Sequence, residues 1–178
     1  FNRTLQSIGA YAFCDCTQLK EIDMPNSVTN LGLRAFDGCT QVKELTISEG
    51  LVYLPEFAFW GINLSGVVEI PEGVQVMDYG IFNSCKNIQA AILPESLTIL
   101  ENVFYGADKL EDVWIQSENM QSINFGSTNP NVYLPTGTKR ASIADESDLS
   151  YKDDTTLSFS NAVLTINNVT EGIQNISN

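Results

Sequence analysis

The stretch "LRAFDGCTQVKELTIS" at residues 33–48 repeats the pattern of "YAFCDCTQLKEIDMP" at 11–25. Each has an Ala-Phe pair, a cysteine three residues after the phenylalanine, and then an alternating apolar run. The likeness extends along the chain. Phe13, Phe36, Phe59 and Phe82 are spaced by 23 residues, and Phe104 follows after 22. Leu5, Val28, Leu51, Val74 and Leu97 keep the same step, as do Ile8, Leu31, Leu54, Met77 and Leu100. Further columns hold Ile22, Leu45, Val68, Ala91 and Val113 and, two residues on, Met24, Ile47, Ile70, Leu93 and Ile115. Self-similarity at a fixed short period marks an architecture of stacked repeats.

Each unit reads L-x-x-I-x-(I/L/M)-P, then V-x-x-(I/L), then A-F-x-x-C. The apolar alternation before the proline predicts one short strand per repeat. Pro25, Pro71 and Pro94 close three of these strands, with Ser48 and Gln116 in the equivalent place. Proline has no N–H to donate, so pairing stops there. The Phe-x-x-Cys segment, flanked by Gly, Asp, Asn and Ser, reads as a turn or a single helical turn. One unit cannot stand alone: about seven inward side chains supply at most roughly 10 to 20 kcal/mol. Ordering its backbone costs about 1 to 2 kcal/mol per residue. Units must therefore stack, pairing their strands in parallel and sharing one apolar interior.

With 178 residues, 43% of them apolar, the chain can bury the core of one domain with an appendage. Nine basic and 22 acidic residues leave a net charge of -13. That charge repels phosphate backbones and anionic headgroups, which argues against nucleic acid and membrane partners. The acidity is spread along the chain and reads as a solvated surface, with a cationic partner as the functional alternative. Histidine is absent. The commonest general acid/base, the Ser-His and Cys-His dyads and imidazole metal sites go with it. No pattern sets two carboxylates against a common pocket, so no catalytic residue, metal site or cofactor is expected. No apolar run approaches the roughly 18 to 20 residues that span a bilayer.

Cys16, Cys39 and Cys85 share one column, in which other units place Ile62 and Ala107. The position takes a small apolar group, so these read as buried free thiols. Cys16 and Cys39 would lie about 4.8 Å apart along the ladder, near enough for a bridge but with parallel side-chain vectors. Cys14 lies beside the column, matching Asp37, Trp60, Asn83 and Tyr105, all residues that tolerate water. It is expected to be the one exposed thiol, and "CDC" without further ligands is a weak metal signal.

The pattern L-x-x-I-x-I-P, V-T-x-(I/L)-G, A-F-x-x-C-x-x-L resembles the BspA-like, or Treponema-type, leucine-rich repeat. It is carried by "SVTNLGLRAFDGCTQVKELTIS" (27–48), "GVQVMDYGIFNSCKNIQAAILP" (73–94) and "SLTILENVFYGADKLEDVWIQ" (96–116). Ser65 departs from it, falling where an apolar residue is expected. The resemblance implies a leucine-rich-repeat solenoid, right-handed, with a parallel β-sheet on one face and turns and short helical segments on the other. Such repeats occur in exported or surface-attached bacterial proteins described as adhesion or interaction modules. Residues 1–135 then hold about five units of 22–23 residues and a degenerate terminal unit, "MQSINFGSTNPNVYLP". The chain opens at Phe1 partway through a unit, so further sequence or a cap is expected upstream. Residues 136–155 read as a polar cap or linker and 156–178 as a small β-rich tail, with Leu157 and Phe159 facing Leu164 and Ile166 across a turn.

Residues between the inward positions of the strand face outward. One such column reads Asp23, Thr46, Glu69, Ile92, Trp114, Tyr133, and its neighbour reads Glu21, Glu44, Val67, Ala90, Asp112, Asn131. The first half is acidic; Ile92, Trp114 and Tyr133 form an apolar ridge near the end. Candidate ligand-binding residues are therefore Glu21, Asp23, Glu44 and Glu69, which would steer basic groups, and Ile92, Trp114 and Tyr133, which would anchor a partner. In the competing reading the C-terminal tail or a neighbouring domain folds over the ridge. Trp60, at the opposite turn edge, reads as a packing residue. The expected function is a non-catalytic bacterial surface or secreted module that binds a protein or glycan through its strand face. The alternative is a spacer or stalk with no ligand of its own.

Overall fold

This computed structural model describes residues 1–125, 128, 130–133, 149–153 and 156–159. Each coil contributes two strands where one was expected. The first has β1 (Ser7–Ile8) and β2 (Glu21–Asp23), the second β3 (Asn30–Leu31) and β4 (Glu44–Thr46), and the third β5 (Tyr53–Leu54) and β6 (Ser65–Glu69). The fourth has β7 (Val76–Met77) and β8 (Asn87–Leu93), the fifth β9 (Ile99–Glu101) and β10 (Asp112–Ile115), and the sixth β11 (Ser122–Asn124) and β12 (Asn131–Tyr133). Even-numbered strands pair in parallel as a front row, β2 with β4 and β6 through β8 and β10 to β12. Odd-numbered strands pair likewise as a lateral row, β1 with β3 and β5 through β7 and β9 to β11. The second strand was hidden because V-x-x-(I/L) offers only a two-residue pairing segment, too short for an alternation to show.

The register follows the repeat columns. Val68 faces Ala91, which faces Val113, which faces Val132. In the lateral row Leu54, Met77, Leu100 and Ile123 align. Between the rows runs a single file of phenylalanine rings. Phe13, Phe36, Phe59, Phe82 and Phe104 stack with centroids 5.1, 5.8, 5.5 and 5.8 Å apart and interplanar angles of 4, 14, 17 and 10°. Phe1 meets Phe13 edge-on at 5.4 Å, on the outer side of the first coil.

The expected short helical segments are not present: among the described residues the chain returns through turns alone. Two positions in every back turn hold a left-handed backbone, which a right-handed helix cannot contain. One column is Tyr11, Arg34, Phe57, Gly80 and Asn102, the other Asp15, Gly38, Gly61, Ser84 and Gly106. Their amides follow suit. Ala12, Cys14 and Cys16 donate to the carbonyl three residues back, whereas Tyr11, Phe13 and Asp15 donate to Leu33, Ala35 and Asp37 of the next coil. Alternate N–H groups thus close the turn and tie it to its neighbour.

Irregularities are absorbed at corners. Ser65 is exposed, and Leu64 fills the interior instead. The register against β8 shifts beside it: Gly66, with a φ of 79°, pairs with Ile88 while Val67 pairs with Ala90, which leaves Gln89 of β8 as the unmatched residue. Where Ser48 replaces the corner proline, its Oγ donates to the Val28 carbonyl at 2.7 Å and accepts the Gly50 N–H at 3.1 Å. Further along, β13 (Leu149–Asp153) and β14 (Thr156–Phe159) pair antiparallel. The first falls in the stretch read as cap or linker and the second carries Leu157 and Phe159. The expected partner at 164–166 lies outside the described residues.

The file of rings generates a stability contrast. Phe59→Ala, in mid-file and fully buried, should cost about 3–5 kcal/mol. Phe1→Ala, half-exposed at the end, should cost less than about 1 kcal/mol. Urea unfolding midpoints read both, and equal losses would show that the stack is not the main support.

Candidate binding face

The outward column of the front row assembles as the alternation requires. Glu69, Ile92, Trp114 and Tyr133 stand side by side on four paired strands. Glu69 is exposed, while Ile92, Trp114 and Tyr133 are each half-buried. The Trp114 and Tyr133 rings stack at 4.8 Å and 10°, each covering a face of the other. Tyr133 Oη donates to Asp112 Oδ1 at 3.0 Å, and Asn131 Nδ2 donates to the same oxygen at 3.1 Å. Burial, the hydrogen bond and the negative charge of Asp112 push the Tyr133 hydroxyl up to about 12. Trp114 Nε1 is buried without a hydrogen-bond partner among the described residues. Val67, opposite Ala90 in the neighbouring column, is the most exposed large apolar side chain among the described residues, at 55%.

The remaining predicted residues are not part of that row. Glu21, Asp23 and Glu44 are exposed on the separate β2–β4 pair, where Glu21 lies directly opposite Glu44 and Asp23 opposite Thr46. Two carboxylates facing each other across strands repel. The acidic and apolar parts of the face therefore belong to two different sheets.

All four cysteines are free. Cys39 and Cys85 are buried, and their thiols donate to the Phe13 and Phe59 carbonyls of the preceding coil at 3.0 and 3.3 Å. Burial pushes these thiols up to about 11 and about 12. Cys14 is half-exposed as its column suggested, but so is Cys16, because no coil in the structure stacks on its outer side. Two other members of the Cys14 column are buried rather than wet. Asp37 is ion-paired with Arg34 at 2.6 Å, and Asn83 Oδ1 accepts the Tyr105 N–H at 2.8 Å. Among the described residues no group of three or more His, Cys, Asp or Glu is placed to hold a metal ion.

Sequence reading missed two side-chain clusters. At the turn edge Phe57 meets Trp60 and Tyr79 edge-on at 6.4 and 5.4 Å. The Arg34 guanidinium lies 4.3 Å from the Phe57 ring centre and 5.7 Å from that of Trp60. Trp60 makes packing contacts there yet is 39% exposed. Phe57 overlies Gly80, where an added Cβ would come within 2.5 Å of its ring. This cluster answers itself, since its cation is already in place. The second is a polar ladder in which Lys109 Nζ donates to Asn87 Oδ1 and Asn87 Nδ2 to Asn63 Oδ1, both at 2.9 Å. Only the aromatic types at 57, 60 and 79 hinted at the first, and nothing in the residue spacing marked the second.

Stacked coils of 22 to 23 residues with parallel strands and an inward phenylalanine file define a leucine-rich-repeat solenoid. The chain belongs to the BspA type leucine rich repeat family, whose pattern it matches in six copies over residues 1–129. It is similar to a leucine rich repeat protein of T. pallidum, with 28% identity and a TM-score of 0.58 over 66% of this chain and 55% of that one. It is also similar to a leucine rich cell surface protein of Faecalibacterium prausnitzii, with 28% identity and a TM-score of 0.58 over 61% of this chain and 29% of that one. The pneumococcal vaccine antigen PcpA, 14% identical over 76% of this chain and 37% of its own, shares the fold at a TM-score of 0.54. The chain thus spans about half the length of the treponemal protein and under a third of the Faecalibacterium one. No curated protein is similar to it in sequence.

The Tyr133–Asp112 contact predicts a pH response. A hydroxyl held at about 12 in the fold and near its ordinary value of about 10 when unfolded binds its proton more tightly in the fold. Its contribution is present below about pH 10 and is lost as pH rises toward 12. Ultraviolet titration of tyrosinate should show late-titrating groups that include Tyr133, and Tyr133→Phe should remove one of them. Loss of none would mean that the hydrogen bond to Asp112 does not form in solution.

Proposed function

We propose that this chain is a non-catalytic interaction module, outside the cell or on a bacterial cell surface, that binds a protein or glycan partner through its front row of strands. The observation that carries this reading is the outward apolar row of Ile92, Trp114 and Tyr133, with Val67 beside it, on a chain whose net charge is -13. Apolar side chains held on the outer face of an otherwise acidic molecule are the kind of patch that excludes water against a partner. Glu21, Asp23, Glu44 and Glu69 would attract a partner's basic groups and raise its encounter rate rather than hold it. A surface location is supported by the Faecalibacterium relative, which is called a cell surface protein.

Trp114 is a poor first probe, because its stacking on Tyr133 contributes to the fold as well. Ile92→Thr keeps a branched side chain on β8 while removing apolar area. Immobilised wild-type and variant chains, probed with purified extracellular proteins and a glycan panel, should differ about tenfold in affinity for any genuine ligand, with matching thermal unfolding curves. Equal affinity for a ligand that binds the wild type would remove the ridge from the binding face.

A further inference from the structure

Five junctions join the six coils, and one differs from the rest. Between the second and third coils β4 does not pair with β6, nor β3 with β5. At the junctions on either side the front amides Met24 and Ile70 donate to Thr46 and Ile92 at 3.1 and 3.0 Å, whereas Ile47, in the same column, has no backbone partner among the described residues. In the lateral row Thr29, Gln75 and Thr98 donate to the coil before them at 2.9, 2.8 and 2.8 Å, whereas Val52 in that column does not. The next lateral donors are Gly32, to Ile8 at 2.8 Å, and Asp78, to Leu54 at 3.1 Å. Their counterpart at this junction is Pro55, which has no N–H to give. The corner 48–51 stays with the first two coils, Ser48 Oγ donating to the Val28 carbonyl and the Glu49 N–H to Asn26 Oδ1. It is not tied to 71–74, where Gly73 stands in the place from which Ser27 and Ser96 reach the preceding corner with their hydroxyls.

The back turns alone are intact at this junction. Arg34, Phe36 and Gly38 donate to Glu56, Ala58 and Trp60 at 3.1, 2.9 and 2.9 Å. Phe36 stacks on Phe59 at 5.8 Å, and the Arg34 guanidinium reaches across to Phe57 and Trp60. Two rows of strands are unpaired and one edge is clamped, which is the arrangement of a hinge. The geometry points to a seam after the second coil, about which the first two coils open as a leaf from the remaining four, pivoting on the back turns between Arg34 and Trp60. The seam falls between Glu44 and Glu69 and so divides the outward acidic strands from the apolar ones.

Native-state hydrogen exchange on the full chain, resolved by residue, tests this. Ile47 and Val52 amides should exchange about tenfold or more faster than Met24 and Ile70, and than Thr29 and Gln75, respectively. An unbonded amide alone could explain that, so the decisive readouts are remote. Pro55→Ala supplies an N–H for the Leu31 carbonyl in the lateral row and should slow exchange at Ile47 in the front row several-fold. Arg34→Asn removes the clamp while keeping a residue that tolerates the left-handed backbone, as Asn102 does in the same column, and should quicken Ile47 exchange. Uniform protection along the columns, or an Ile47 rate unmoved by both variants, would overturn the hinge. If Pro55→Ala fails to fold, Arg34→Asn decides by itself.

Discussion

A phenylalanine ring lying flat on its counterpart one coil away fixes how much chain each coil can contain. The rings remain within 5.1 to 5.8 Å only if every back turn arrives at the same place, and the alternating amides of those turns hold them there. Length changes are therefore pushed elsewhere. The fifth coil is one residue short between Leu100, still 23 residues after Met77, and Asn102, only 22 after Gly80. It recovers the residue between Ile115, which is 22 after Leu93, and Ser122, which is 23 after Ile99. The register shift between β6 and β8, with Gln89 unmatched, likewise leaves the ring file undisturbed. Interior stacking sets the period, and the corners take the error.

What could be read from residue types alone follows this division. Inward columns were legible because burial repeats, and the outward row from Glu69 to Tyr133 followed from strand alternation. The lateral strands were not, since a two-residue segment carries no periodicity. Neither was the lack of helix: Tyr11, Arg34 and Phe57 give no sign of a left-handed backbone, although Gly80 and Asn102 in the same column do. Asp37 and Asn83 looked like surface residues because their partners, Arg34 and the Tyr105 amide, depend on three-dimensional placement. The bond from Tyr133 to Asp112 joins neighbouring strands and two different outward columns, and could not be seen in either column singly.

Charge contributes little to holding the coils together. The ion pair of Arg34 with Asp37 is the one found among the described residues, against 22 acidic residues in the chain. Some carboxylates act instead as corner acceptors. Glu72 Oε1 takes the Glu95 N–H at 3.1 Å, as Asn26 Oδ1 takes that of Glu49 at 3.3 Å. An acidic surface is compatible with this fold because its cohesion comes from ring stacking and shared backbone hydrogen bonds, neither of which depends on a neutral exterior.

The six front strands described have a consequence for the strength of the proposed attachment. Four paired steps of about 4.8 Å and the unpaired step between β4 and β6 make the face about 24 Å or slightly more from first to last strand, and a five-residue strand is about 17 Å long. The flat outline is then about 400 to 500 Å², modest beside the roughly 800 Å² of accessible surface that each partner contributes to a standard stable interface. If the face binds as proposed, a partner confined to these six strands would be held only briefly by one contact, and firm attachment there would call for avidity, with several copies engaging a repetitive target.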